Sequence, residues 1–579
     1  MIKRKALRVI IITFSALLLI AFATQIFLSN YLEPIVKSKL EKAVLRGSDS
    51  LYRLELRKLD INVFTGGVKL DHLHLVMDST RFNEMSEHHI LPPNTFDVTI
   101  DKGAIKGFRV FSLLFKDEIH IREIVMSDAS IKMCRQFIDQ PDLKKDTSVV
   151  PLWKLLQPDL NGIYVKRFSM NNLKFSYLIA DSTQALEFDF DSCYADVQDF
   201  VLDSLSAPDT SRMFFCKKLA FDFTQLNFQT ADSMYSISTG ALRYSSSASV
   251  LEIDRFDLHP MLDEQAYYER VAEQKDMYNI KIAALIFKNF SLTDWLNNNE
   301  LIADTLTLVT PVIDVYNDRT AAPSAKSKLG KFPNQLIQKA PFGIHIRQIK
   351  SDDAKVSYGE KNAETKMVGT LIMNKICGTI SNVTNDSLLL LIDSVCVADL
   401  HCIMMDRGGL KAAFQFQLKS KEGDFSAWCE VDNMDATQLN KLMVPLANTR
   451  LKSFDVGHLV FNMAGNELAG EGNLRMTYQN LDVELIDNSE DKKKNDDRGN
   501  DKKEKNKRED KAVGSWLLNK FALFPDNPMK DEEVRVVNYV LSNRDPYKSF
   551  FNLIWKTLFE GVNNIAVRDR VQLLPHDKK

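Results

Sequence analysis

From about residue 50 to residue 487 the chain alternates apolar and polar residues so persistently that it dictates β-sheet with one apolar face. The fullest phrase is Ile344-His-Ile346-Arg-Gln-Ile349-Lys-Ser-Asp-Asp-Ala354-Lys-Val356-Ser-Tyr358. A period-2 run breaks there at a short polar stretch and then resumes, which predicts strand, turn, strand. Close relatives run from Ile119-His-Ile121 to Ile131 and Met133, from Val165-Lys-Arg-Phe168 to Phe175 and Tyr177, and from Leu306-Thr-Leu308 to Val315 and Tyr316. A looser copy runs Leu54-Glu-Leu56 through Gly66-Gly67 to Val68-Lys-Leu70. One supersecondary unit is therefore expected to be reused along the chain. Short helices are expected over Leu262 to Gln274, Ser291 to Asn298, Phe332 to Lys339 and Ala436 to Ala447, with turn chemistry at Thr65-Gly66-Gly67, Thr384-Asn385-Asp386 and Arg407-Gly408-Gly409.

A long sheet with one apolar face must hide that face, and 579 residues are too many for one compact globule. Three solutions compete: a closed barrel, stacked sandwiches, or a sheet curled into a groove. A lipid-facing barrel calls for strands of about 9–11 residues with an outward apolar band and aromatic girdles. Sandwiches place turn signals every 8–12 residues or so, whereas glycine is sparse here, at 22 residues. A groove keeps its apolar lining if something apolar fills it, and acyl chains are the obvious filling. Expected lining residues are Leu306, Leu308, Ile344, Ile346, Val356, Tyr358, Phe414 and Phe416. With on the order of 30 strands at about 4.8 Å spacing, such a sheet would be no longer than roughly 140 Å. Water entering an open groove would partly solvate a charge, so Ile346→Asp is expected to leave the sheet folded.

The ends have a different character. Lys3, Arg4, Lys5 and Arg8 precede an apolar run from Val9 to Leu28, long enough to cross a hydrocarbon core of roughly 30 Å. The basic cluster argues for a cytoplasmic N-terminus and an exported remainder, although Lys37, Lys39 and Lys42 weaken the asymmetry. The rival reading is a signal peptide cut at Ala21-Phe22-Ala23. Residues 487–511 are nearly all charge, from Lys492-Lys493-Lys494 to Arg508-Glu509-Asp510, and read as a solvated linker. Residues 512–579 are expected to be helical, with Phe550, Phe551, Ile554, Trp555, Leu558, Phe559 and Val562 on one amphipathic stripe. That helix either packs on the protein's own sheet or caps the groove or lies on a membrane. The expected organisation is an anchor over 1–30, a β region over 31–486, the linker over 487–511 and the helical segment over 512–579.

A net charge of -3 gives no basic excess for nucleic acid. The seven cysteines form no Cys-x-x-Cys pair; Cys396 and Cys402 read either as a pair across adjacent strands or as buried thiols. There is no His-Glu-x-x-His, Gly-x-Ser-x-Gly or phosphate-cradling glycine loop, and the ten histidines are scattered. His345, between Ile344 and Ile346, belongs on a polar strand face. A non-enzyme without metal or cofactor is expected.

The anchor, an amphipathic stretch from Tyr31 to Leu45 and the many β repeats together resemble the AsmA-like family, relatives of TamB and of bridge-like lipid-transfer proteins. The best local piece is Gly457-His-Leu459-Val-Phe461-Asn-Met463-Ala-Gly465 leading into Glu471-Gly472-Asn-Leu474-Arg-Met476-Thr-Tyr478-Gln-Asn-Leu481-Asp-Val483-Glu-Leu485, which is similar to the closing strands of that family. The resemblance implies a mainly β fold: an elongated, curled, taco-like antiparallel groove behind a transmembrane helix, with helices at the C-terminus. It also implies an inner-membrane protein with its bulk in the periplasm, carrying phospholipid between inner and outer membranes. The alternative it allows is a scaffold for outer-membrane protein biogenesis, with an outer-membrane protein as partner.

Overall fold

The computed structural model describes residues 31–136, 160–180, 185–486 and 522–568, apart from positions 32, 63, 64, 89, 93, 207, 208, 210 and 231. The expected anchor and charged linker lie outside the described residues. The protein is mainly β: among the described residues, 22 strands belong to one mixed sheet. The chain divides into two compact units, residues 1–231 with 238–253, and residues 232–237 with 254–579.

The first unit holds β1 (Tyr52–Asn62), β2 (Gly67–Met77), β3 (Asn94–Lys106), β4 (Glu118–Gln136), β5 (Gly162–Ala180), β6 (Ala185–Leu202), β7 (Lys218–Phe223), β8 (Asn227–Gln229) and β10 (Leu242–Ser245); β9 (Tyr235–Thr239) and β11 (Val250–Pro260) straddle the division. β1 and β2 are the hairpin that Gly66-Gly67 predicted. Pairing continues antiparallel through β2–β3 and β3–β4, turns parallel at β4–β5, and returns to antiparallel through β6, β7 and β10. The sheet is therefore not antiparallel throughout. A helix over residues 33–47 covers the open edge of β1: the Lys37 ammonium donates to the Leu56 carbonyl at 2.7 Å, and the Leu59 amide donates to the Glu33 carboxylate at 3.2 Å. Covering an edge in this way denies another strand a template.

The polar interruptions in the repeat are not turns. The three best copies are single strands of 19 residues, β4, β5 and β15 (Gly343–Lys361). Within each strand two consecutive polar residues break the alternation, and the apolar series resumes one place out of step. In the first unit the core takes Leu54 and Leu56, then Leu59 and Ile61, from β1; Val68 and Leu70, then Leu73, from β2; Met126, then Ala129 and Ile131, from β4; and Met170, then Leu173 and Phe175, from β5. Arg57-Lys58, Asp71-His72, Asp101-Lys102 and Asn171-Asn172 are exposed in between. The interruptions line up, because Leu56 pairs with Leu73, Leu73 with Ile100, Ile100 with Ala129, and Ser127 with Asn171.

His72, Asp128, Asn172 and Ser192 have φ between +52° and +57°, the left-handed conformation that short polar side chains tolerate best. A strand so interrupted bends locally, and interruptions aligned across six strands crease the sheet along one line. Both sides of the crease then present apolar residues to the same interior. Along the crease the Asn172 side-chain amide donates to Asp128 at 2.6 Å, and the Ser192 hydroxyl donates to Asn172 at 3.4 Å. We expect Asn172→Val to destabilise the protein by about 1–2 kcal/mol, since a β-branched residue resists positive φ. Urea unfolding measures this, and Lys174→Val, one strand period away, serves as the control.

The second unit holds β12 (Met277–Lys288), β13 (Glu300–Val309), β14 (Val312–Asp318), β15, β16 (Val368–Thr384), β17 (Val395–Met404), β18 (Gly408–Gln417), β19 (Phe425–Asp435), β20 (Thr449–Gly465), β21 (Ala469–Leu485) and β22 (Val536–Asn543). β15 runs parallel to both β13 and β14, and the successive pairs from β15 to β22 are antiparallel. In the Leu306-to-Tyr316 copy the interruption is complete. Thr310, at φ +41°, and Pro311, which has no amide hydrogen, part β13 from β14 opposite the Asp352-Asp353 step of β15. The chain does not reverse there.

The four expected short helices form, over Glu264–Val271, Leu292–Asn298, Pro333–Gln338 and Ala436–Ala447, the last beginning as a 3-10 turn. The C-terminal segment is not wholly helical: β22 adds a strand to β21 before the helix Phe550–Ala566 begins.

Candidate functional site

Following cross-strand partners over the inner face of the second unit gives one unbroken apolar file. It runs Phe287, Leu306, Ile349, Ile380, Ala398, Phe414, Ala427 and Met463, each opposite the next on the neighbouring strand, and ends at Gly472 of β21. Two of the residues singled out from sequence, Leu306 and Phe414, thus belong to one transverse feature although 108 positions separate them. A second file, Ile313, Val356, Met373 and Met404, lies on the far side of the Asp352-Asp353 step, and Val315, Tyr358 and Leu371 run beside it. Leu308 stands opposite Ser351, where its own row loses apolar character.

The files differ in cover along their length. Over β13 to β16 the lining residues Leu306, Leu308, Ile344, Ile349, Val356, Tyr358, Met373 and Ile380 are only half-buried. Over β18 to β21 the floor is covered. The C-terminal helix lies on it, with Phe550, Leu553, Thr557, Gly561 and Ile565 inward. Gly561 permits the approach, because a Cβ there would already stand 3.2 Å from Leu474 Cδ2. The Phe550 ring sits 4.7 Å from Phe425, 5.0 Å from Phe332, 5.7 Å from Phe416 and 6.4 Å from Phe414.

Two expectations need correction at this point. Phe416, 7% exposed, and Ile346, 4% exposed, belong to a packed core rather than an open floor. The single amphipathic stripe also divides: Phe550, Ile554, Leu558 and Val562 pack against the core, while Phe551 (67% exposed), Trp555 (41%) and Phe559 (44%) form a separate outward stripe. The inward ridge follows Leu553, Thr557 and Gly561 at four-residue spacing, two of which are too small or too polar to stand out in an apolar pattern.

The crossover from β14 to β15 is tied down at several points. The Asn334 side-chain amide donates to the carbonyls of Gln417 and Asp424 at 3.0 and 3.2 Å, and that of Gln338 donates to Thr384 at 2.9 Å. Tyr358 is anchored by a polar group at one end: its hydroxyl donates to Glu360 at 2.6 Å, which also holds Arg319 at 2.9 Å. Burial first, and the neighbouring Glu360 carboxylate second, push this phenol well above its ordinary range. His345 pairs with Thr384 and Ile302 and turns away from the file, on the strand face the alternation assigned to it.

None of the seven cysteines forms a disulfide, and Cys396 and Cys402 share β17, so they do not pair across strands. Burial pushes the thiols of Cys193, Cys396, Cys402 and Cys429 up to about 11. Their thiolate fraction at pH 8 is then about one in a thousand. We expect iodoacetamide at pH 8 to leave these four unlabelled in the folded protein and to label them after urea unfolding, as read by peptide mass spectrometry.

Sequence spacing gave no metal site. The fold gathers Glu430, Asp432 and His458 within 4.8 Å of one another, but the imidazole already faces Asp432 at 2.6 Å and Glu430 at 3.9 Å, and Lys411 holds Glu430 at 3.1 Å. The cluster is an ion-paired surface patch. Among the described residues no helix is long and apolar enough to cross a membrane. The sequence matches no protein-family model and no curated protein.

Proposed function

We propose that the chain is an envelope protein that carries phospholipid along the half-buried apolar files, held at the inner membrane by Val9 to Leu28 with its N-terminus cytoplasmic and its bulk in the periplasm. The observation that carries this reading is the register-matched file itself. An apolar row left half-buried across successive strands is costly to leave in water, and a mobile apolar ligand relieves that cost without fixing one geometry. The half-buried second file, Ile313, Val356, Met373 and Met404, crosses four strands from β14 to β17, about 14 Å, close to the roughly 15 Å depth of one leaflet. An acyl chain fits along it while the headgroup stays in water. The C-terminal helix closes the floor beyond β18. Its packed aromatic core favours the second reading, a scaffold supporting outer-membrane protein assembly, for that end of the unit.

The deciding experiment is gentle purification followed by lipid mass spectrometry on the wild type and on Val356→Asp. Val356 is half-buried, so a carboxylate there keeps partial hydration and the ladder stays folded by circular dichroism. Bound phospholipid is expected to fall several-fold. Lipid-free wild type, or a folded variant with unchanged lipid, would overturn the conduit and leave the scaffold.

A further inference from the structure

The outer face of the second unit is largely ion-paired and hydrogen-bonded, with ion pairs between Lys411 and Glu430 at 3.1 Å and between Arg450 and Glu484 at 3.1 Å, and a hydrogen bond between His458 and Asp432 at 2.6 Å. One patch departs from that chemistry. Two adjacent transverse rows, Ala413–Trp428–Asn462–Asn473 and Gln415–Ser426–Ala464–Glu471, carry small, amide and aromatic side chains with one carboxylate. With Asn538 and Tyr539 of β22 they line a shallow hollow of about 480 Å³. Its floor is low because Ala413, Ser426 and Ala464 are small; Trp428 rises from β19 and Tyr539, 62% exposed, from β22. The Asn462 amide donates to the Asn473 carbonyl oxygen at 3.1 Å, which orients both amides and leaves each with donor capacity toward the hollow's ligand.

We propose that this hollow binds a neutral carbohydrate segment. Sugar rings offer hydroxyl edges that both donate and accept, and apolar C–H faces. Amides satisfy the first in either direction, and the flat, electron-rich faces of Trp428 and Tyr539 receive the second. A phosphate or carboxylate ligand meets no Lys or Arg among the lining residues, and a cationic one meets only Glu471. From β19 to β22 is three strand spacings, about 14 Å, which suits a short run of sugar rings rather than a monosaccharide. The site is on the opposite face of the sheet from the apolar files and stands or falls independently of the lipid reading.

The test is isothermal titration calorimetry of the full chain in detergent with two probes, the tetramers of glucose and of N-acetylglucosamine. Saturable binding of at least one is expected, weakened tenfold or more by Trp428→Ala and by Asn473→Ala with unchanged circular dichroism. Should Trp428→Ala fail to fold, the well-exposed Tyr539→Ala carries the same expectation. No saturable heat with either tetramer, or binding that persists undiminished in the folded variants, would overturn the assignment. A protein ligand retained by the hollow in place of both sugars would overturn it equally.

Discussion

Phe550→Ala is expected to lower the unfolding free energy by about 3–5 kcal/mol, the range for removing a large aromatic ring from a packed site. Phe550 is 7% exposed and is the point at which the C-terminal helix, the crossover residue Phe332 and the sheet residues Phe416 and Phe425 meet. Its loss leaves a void that these elements cannot close together, because Phe332 is held by the tethered crossover and Phe425 by its strand. Urea unfolding followed by near-ultraviolet circular dichroism should show the midpoint move sharply downward. Phe551→Ala, one position along on the outward stripe, should move it by less than about 0.5 kcal/mol. Equal effects from the two substitutions would mean that the helix does not pack in this orientation.

Ile346→Asp is expected to abolish stable folding of the second unit, the reverse of what an open groove would allow. Ile346 stands between Ala303 and Val383 on its neighbouring strands, both buried. A carboxylate there has no cationic partner across either pair, and burying it costs several kcal/mol, comparable to the whole stability of a domain. The expected readout is loss of soluble protein or of its cooperative transition. A variant that folds with wild-type stability would show that water reaches this position. Ile346 and Val356 lie on the same strand, so the two aspartate variants together locate where the floor passes from packed to open.

The amount of this fold legible in the sequence depended on whether the deciding contact was local. The β1–β2 hairpin was legible because Gly66-Gly67 supplies the conformations a reversal needs, and the short helices were legible from their own periodicity. The steps at Asp352-Asp353 and Asn171-Asn172 were misread as turns. A polar pair between two alternating runs looks the same whether the chain reverses or continues, and only the neighbouring strands, paired on both sides of the step, decide the matter. The parallel pairing of β4 with β5 and of β13 with β15 was invisible for the same reason. Of the eight candidate lining residues, alternation placed all but Leu308, which stands opposite Ser351, on apolar rows. It could not separate Ile346 and Phe416, which are covered by distant segments, from Leu306 and Val356, which are not. β22 went unseen because its eight residues sit in a stretch dominated by the helix that follows.

The crease also governs how the lengths of these strands can change. Each long strand is written in more than one phase, and the step residue is where one phase gives way to the next. Removing a single residue from one strand, say Asp353, would leave its far half out of phase with both neighbours: amides would face amides, and Val356 and Tyr358 would exchange places with Lys355 and Ser357. Shortening by two residues keeps the phase, as does losing the step from every strand of the row at once. The sheet can therefore accept many substitutions at its surface while remaining intolerant of one-residue insertions and deletions along most of its length. Its reading frame is kept by the neighbouring strands rather than by any residue of its own.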